Sequence, residues 1–161
     1  MKLGILSDLH GDNQRVRCAL TLLDACGAEA FVVCGDIGGP DTLAEFVGRR
    51  CWFVWGNTDC PDPTWRPQVE SLGLPWPDGP LELNLDGKRI GVFHGNESDF
   101  AKAYKEARLD YLLFGHTHRQ YDGYSGDMRL INPGAFHRVR VATVALLDLK
   151  TDNLEFIEVP G

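Results

Sequence analysis

Apolar residues along this chain come in short runs, and most runs end on a glycine followed at once by Asp, Asn or His. Residues 2–7, 30–34 and 51–55 are continuous enough to be strands buried on both faces. Between them the period changes. Val16, Ala19, Leu20 and Leu23 recur at helical spacing after Asp12 or Asn13, either of which can cap a helix that Gly27 ends. Pro40 suits the first turn of a second helix, burying Leu43, Phe46 and Val47. Three successive units of strand, polar turn and helix predict a parallel sheet with right-handed crossovers.

Residues 61–80 break this rhythm, holding six of the nine prolines together with Trp65 and Trp76. They are expected to form a surface excursion with a short helix near 65–72. Its role is either a lip that shapes a substrate site or a stiff connector with two partly buried tryptophans. Residues 81–85 and 89–93, joined by Asp86-Gly87, predict a hairpin that delivers His94-Gly95-Asn96. Ser98 or Asp99 would cap a helix with Phe100, Tyr104 and Ala107 on its inner face. A buried strand at 111–114 then runs into Gly115-His116-Thr117-His118. Residues 120–124, 129–131, 142–149 and 154–159 read as antiparallel strands, with turns at Asn132-Pro133-Gly134 and Thr151-Asp152-Asn153. The last half is therefore expected to build a second sheet against the first.

At 161 residues the chain suits one domain, 1–161, with a sizeable core. No apolar run is long enough for a transmembrane helix, and the N-terminal stretch reads as a first core strand, not a signal peptide. The five cysteines are odd in number and lack Cys-x-x-Cys spacing. They predict reduced, buried thiols in a cytoplasmic protein, not a disulfide or zinc framework. A net charge of −7 argues against non-specific binding to nucleic acid or membrane. It leaves room for a phosphate substrate, because bound cations would reverse the local field.

The polar residues at the strand ends are Asp8, His10, Asp36, Asn57, His94, His116 and His118. Four of the five histidines are among them. Asp8 and His10, like His116 and His118, are spaced i, i+2, which in an extended chain puts both side chains on one side. In open α/β sheets ligands gather beyond the carboxyl ends of the strands, where Asp8, Asp36 and Asn57 fall. Seven donors exceed the needs of one metal ion, and two ions sharing Asp36 fit better. Such ions sit roughly 3.5–4 Å apart, activate a bridging water and stabilise an in-line displacement at phosphorus. Nitrogen and oxygen donors suit Mn²⁺, Fe, Zn²⁺, Ni²⁺ or Co²⁺, with manganese the working expectation.

The ordered set Asp-x-His, Gly-Asp, Gly-Asn-x-Asp, His-Gly and Gly-His-x-His resembles the calcineurin-like metallophosphoesterase family. With Ile131-Asn132-Pro133-Gly134, it is most similar to that family's small single-domain prokaryotic phosphodiesterases. The resemblance implies a four-layer α/β/β/α sandwich of two mixed sheets. It also implies one metal on Asp8, His10, Asp36 and His118, and another on Asp36, Asn57, His94 and His116. The residues expected to carry the catalysis are Asp36, Asn57, Asp59 and His94. Many relatives carry a histidine after Gly-Asn that protonates the leaving group. Here Thr58 stands in that place, leaving Asp59 as the candidate acid and favouring aryl or cyclic diesters. Relatives also often carry a histidine where Asn96 stands. His137 matches no motif and reads as a surface or structural residue. The expected partner is a small phosphodiester, and an edge strand or the Trp-bearing segment could pair two subunits. The alternatives are a phosphomonoesterase or protein phosphatase, and a non-catalytic protein-interaction scaffold on the same fold. A nuclease ranks below small diesters, because the basic residues are scattered apart from Arg138 and Arg140 and the Arg49-Arg50 pair.

Overall fold

The structure, a computed structural model, describes residues 1–106 and 108–161. Its first sheet runs β10-β9-β1-β2-β3. The strands are β1 (Lys2–Leu6), β2 (Ala30–Val33), β3 (Cys51–Phe53), β9 (Ala142–Asp148) and β10 (Asn153–Val159). The second runs β4-β5-β6-β8-β7. It holds β4 (Leu81–Leu85), β5 (Lys88–Val92), β6 (Tyr111–Leu113), β7 (Tyr121–Ser125) and β8 (Met128–Asn132). Each sheet has a parallel core of three strands, β1, β2 and β3 in one and β5, β6 and β8 in the other.

The period-two alternation of side chains sorts the apolar residues into layers. Leu3, Ile5, Ala30 and Val32 face Ile90, Val92, Tyr111, Leu113 and Ile131, and these form the core between the sheets. Leu6, Phe31 and Val33 point the other way, onto α1 (Asn13–Ala25) through Val16, Ala19, Leu20 and Leu23. On the far side Leu112, Met128 and Leu130 meet Phe100 and Ala103 of the helix Phe100–Glu106. The result is the expected α/β/β/α sandwich.

Local chemistry explains most boundaries. The Asp12 side chain accepts the Arg15 N–H and caps α1. Asp86 and Gly87, at φ 49° and 72°, turn the β4–β5 hairpin in two residues. The second helix is shorter than expected. α2 spans only Pro40–Leu43, a 3₁₀ turn follows at Ala44–Phe46, and Val47 is exposed. Tyr104 is likewise exposed and not on an inner face. Ala107 lies outside the described residues.

The expectation that the last strands all join the second sheet is wrong for β9 and β10. β9 pairs antiparallel with β1, with Leu3 opposite Leu147 and Ile5 opposite Ala145. Its signature is a continuous apolar run buried on both faces, whereas β7 is largely exposed. The thiols also divide. Cys34 and Cys51 are buried, and burial pushes both thiols up, while Cys26 and Cys60 are exposed. Among the described residues no helix is long and apolar enough to cross a membrane.

Candidate metal centre

All three parallel strands of each sheet end at the same edge of the sandwich, and every predicted donor arrives there. Asp8 and His10 follow β1, Asp36 follows β2 and Asn57 follows β3; His94 follows β5, and His116 and His118 follow β6. Ligand atoms of Asp8, His10, Asp36 and His118 all lie within 4.8 Å of one another. Asn57 Oδ1 lies 2.8 Å from His94 Nε2 and 3.0 Å from His116 Nδ1. Asp36 Oδ2 sits between the two groups, 3.4 Å from His10 Nε2 and 3.4 Å from His94 Nε2.

The paired histidines do not reach this edge by strand alternation. β1 ends at Leu6 and β6 at Leu113, short of the donors. Asp8, His10, Asp36, His116 and His118 instead have φ between 47° and 68°, the left-handed region that costs an L side chain energy. The other such residues are Arg138, beside the site, and Asp86 and Asp152, in turns. Strain of this kind persists where the surrounding structure holds it in place. Here the restraints are visible. Ser7 Oγ donates to Asp8 Oδ2 at 2.6 Å, and the His116 N–H donates to the same oxygen at 3.1 Å. Glu97 accepts the N–H groups of His94 and Gly95. Asn132 donates to the Gly115 carbonyl and the Thr117 hydroxyl, and accepts the Gly134 N–H, so it staples the His116–His118 loop to the end of β8. Ser7, Glu97 and Asn132 carry no motif of their own, and only Asn132-Pro133-Gly134 was distinctive in the sequence.

The donor set fits a cation. With Oδ2 of Asp8 satisfied, its Oδ1 has no hydrogen-bond partner although buried, and His10 Nε2 is likewise orphaned. The His118 ring approaches Asp8 Oδ1 at 3.1 Å without hydrogen-bond geometry. Buried polar atoms without partners are costly, and a shared positive charge would satisfy both. His94 makes the same point. Its Nδ1–H faces the Cys34 carbonyl at 2.7 Å, so the neutral ring turns a lone pair toward the oxygens of Asn57 and Asp36. A proton or a metal at Nε2 would make that contact favourable. Burial lowers the His10 pKa despite neighbouring Asp36. For His94 burial works in the same direction, but Asp36 and the Cys34 carbonyl outweigh it and the pKa rises. Burial also opposes ionisation of Asp36, yet hydrogen bonds with His94 and Thr58 hold its carboxyl well below the usual carboxylate range.

Asp59 is held between loops. Its carboxylate accepts the backbone N–H groups of Ile37, Gly38 and Gly56 at 2.9–3.1 Å. Both oxygens act as acceptors, so the side chain clamps the β2 and β3 loops together. His137, which sequence reasoning set aside, is exposed but stacks on His10 at 4.4 Å between ring centroids. With Arg138 and Thr58 it lines a cavity of about 270 Å³ over Asp36 and Asn57. The tryptophans of residues 61–80 are half-buried instead. Trp65 and Trp76 pack around Trp55 and do not line this cavity, as the connector reading expects.

A two-sheet sandwich with this donor set at its edge defines a class, and sequence comparison agrees with it. The model of the calcineurin-like phosphoesterase superfamily domain matches residues 1–152, and the chain belongs to that family of phosphoester hydrolases. Phosphodiesterase MJ0936 of Methanocaldococcus jannaschii is 26% identical over 167 residues, spanning 99% of this chain and 98% of that protein. A solved structure of a novel archaeal phosphodiesterase superposes with a TM-score of 0.88 at 22% identity, covering 99% of this chain and 100% of that one. Zinc-bound Vps29 of Entamoeba histolytica superposes with a TM-score of 0.67 at 18% identity, over 98% of this chain and 99% of that one. At these identities the structural likenesses speak to the fold alone.

Proposed function

We propose that this chain hydrolyses phosphodiesters with two divalent cations. Asp8, His10, Asp36 and His118 would hold one, and Asp36, Asn57, His94 and His116 the other. The observation that carries this reading is Asp36 Oδ2, placed 3.4 Å from an imidazole nitrogen of each set. When bound, the cations supply a Lewis-acid seat for a phosphate and lower the pKa of water. Manganese is the first candidate, with Fe, Zn²⁺, Ni²⁺ and Co²⁺ admitted by the same donors.

The chain's own residues do the rest. Asp36 is kept ionised by His94 and Thr58, and so remains a ligand across the working pH range. Asp59 acts as the loop clamp described above and is withdrawn from the acid role. His137 and Arg138 stand at the open side of the cavity and supply donors to the non-bridging oxygens of a phosphate. Thr58 leaves the departing group without an acid, so aryl and other good leaving groups are favoured. The presence of all seven donors is what sets a catalyst apart from a scaffold on the same fold.

The test is hydrolysis of matched aryl phosphate diester and monoester by metal-stripped protein, with and without Mn²⁺. Diester turnover should require metal and vanish in Asp36→Asn. Preference for the monoester would make the protein a phosphatase. No turnover with any divalent ion, despite binding, would point to the scaffold.

A further inference from the structure

Beside the metal cavity lies a groove of about 800 Å³ that shares His116, His118 and Arg138 with it. Arg119, Arg138 and Arg140 line this groove, against one carboxylate, Glu158. All three arginines are exposed, and among the described residues none has an ion-pair partner. Elsewhere arginines are used differently. Arg15, Arg17, Arg49, Arg66, Arg89 and Arg129 are each paired with a carboxylate, Arg50 lies over the Trp52 ring, and of the arginines outside the groove Arg108 alone is exposed with neither kind of partner among the described residues. A chain of net charge −7 thus keeps three unpaired guanidinium groups in one groove beside its metal cavity. Arg138, which belongs to both cavities, is held there in the left-handed backbone region at φ 53°.

An aromatic wall adjoins the arginines. Phe114 and Tyr121, with ring centroids 6.1 Å apart, line a neighbouring niche together with Arg119. Tyr121 is 45% exposed, which leaves ring surface in contact with solvent. Unpaired arginines beside an open aromatic face are how proteins hold single-stranded nucleic acid, the guanidinium groups on phosphates and the ring on a base. The volume matches more than a lone phosphate, since pockets of about 300–1,000 Å³ hold ligands of nucleotide size.

We propose that the substrate is a short single-stranded oligonucleotide, whose phosphate next to the scissile diester lies on Arg119, Arg138 and Arg140 and whose base lies on Tyr121. This rests on the phosphodiesterase reading above and narrows its substrate. Global acidity repels long duplexes, whereas the local groove suits a few nucleotides at the cleaved end.

The experiment compares three dinucleotides with Mn²⁺-loaded protein: one with a free phosphate at its 5′ end, one at its 3′ end, and one with neither. One phosphorylated form should show kcat/KM about tenfold or more above the unphosphorylated one, the scale of a charge-assisted hydrogen bond. That ratio should fall toward one in the Arg119→Gln/Arg140→Gln double variant and on raising salt. Tyr121→Ala should raise KM for all three dinucleotides. A ratio near one in the wild type, or a ratio untouched by the double variant, overturns the proposal. A preserved ratio with no effect of Tyr121→Ala overturns its nucleotide part. Equilibrium binding of phosphonate-linked analogues separates the two readings. Tighter binding of the phosphorylated analogue without turnover of any diester keeps the groove and overturns the hydrolase.

Discussion

Gly115 has no room for a methyl group. A Cβ there would run into Ser7 Oγ and come within 2.6 Å of Asp8 Oδ2. The two strand ends can meet at the donors only because this backbone is bare. Gly115→Ala should therefore push Asp8 away, weakening metal binding by about 10–100-fold, the scale seen when support for a ligand is lost. Isothermal titration with Mn²⁺ checks this, and unchanged affinity would mean the loop relaxes freely. Thr58 is the complementary case, where the fold accepts more than it has. It is exposed and lines the metal cavity. Thr58→His should raise turnover of diesters with poor, alkyl leaving groups relative to aryl ones, because it adds a proton donor. Turnover indifferent to the leaving group would reject that role. At this scale the residues that meet at this edge were legible by type and by their place after the strands, but not by strand alternation. The sequence did not show that Asp59 is consumed by three backbone N–H groups, nor that His137 folds back onto His10, since both depend on how separate loops meet.

Elements were legible where burial and capping are local, and illegible where pairing is distant. The hairpin turn, the Asp12 cap and the parallel first three strands follow from residues adjacent in sequence. The return of β9 to pair with β1 follows from an apolar run whose partner lies more than a hundred residues away. What closes the two sheets at the opposite edge is also non-local. Arg129 on β8 pairs with Asp122 on β7 and reaches the β9–β10 turn at Asp152, to which the buried Tyr111 also donates at 2.7 Å. Burial opposes the charge on Asp152, but Tyr111 and Arg129 outweigh it and hold its pKa below the ordinary value. The folded-state pKa is the lower one. Its contribution is therefore present above the unfolded pKa of about 3.9 and fades as pH falls through the folded value. Asp152 is half-exposed, which discounts the interaction to about 1 kcal/mol or less. Asp152→Asn should lower Tm by about 2–4 °C at pH 7. The gap to the wild type should close as the pH drops below about 3. A gap that persists in acid would mean the loss comes from packing.

Taken whole, the molecule places its least comfortable parts on one edge. Five donors in the left-handed region, orphaned atoms on Asp8 and His10, and a lone pair on His94 facing oxygens all lie there. The orphaned atoms and the facing lone pair would be relieved by the same thing, positive charge between the sheets. The strand ends made the existence of such a site readable from sequence, but its energetic state became visible only with the fold assembled. A ligand that binds only the folded chain stabilises it by mass action, about 2.7 kcal/mol at a hundred times its Kd. For a protein of this size that amounts to about 5–11 °C in Tm. Thermal unfolding in EDTA and in excess Mn²⁺ should differ by that much, and Asp36→Asn should remove most of the difference because it weakens both halves of the centre at once. His94→Ala, which touches one proposed half, should leave an intermediate shift. Equal shifts in the wild type and Asp36→Asn would place the metal somewhere other than this edge, and an all-or-none loss with His94→Ala would mean that the two ions bind only as a pair.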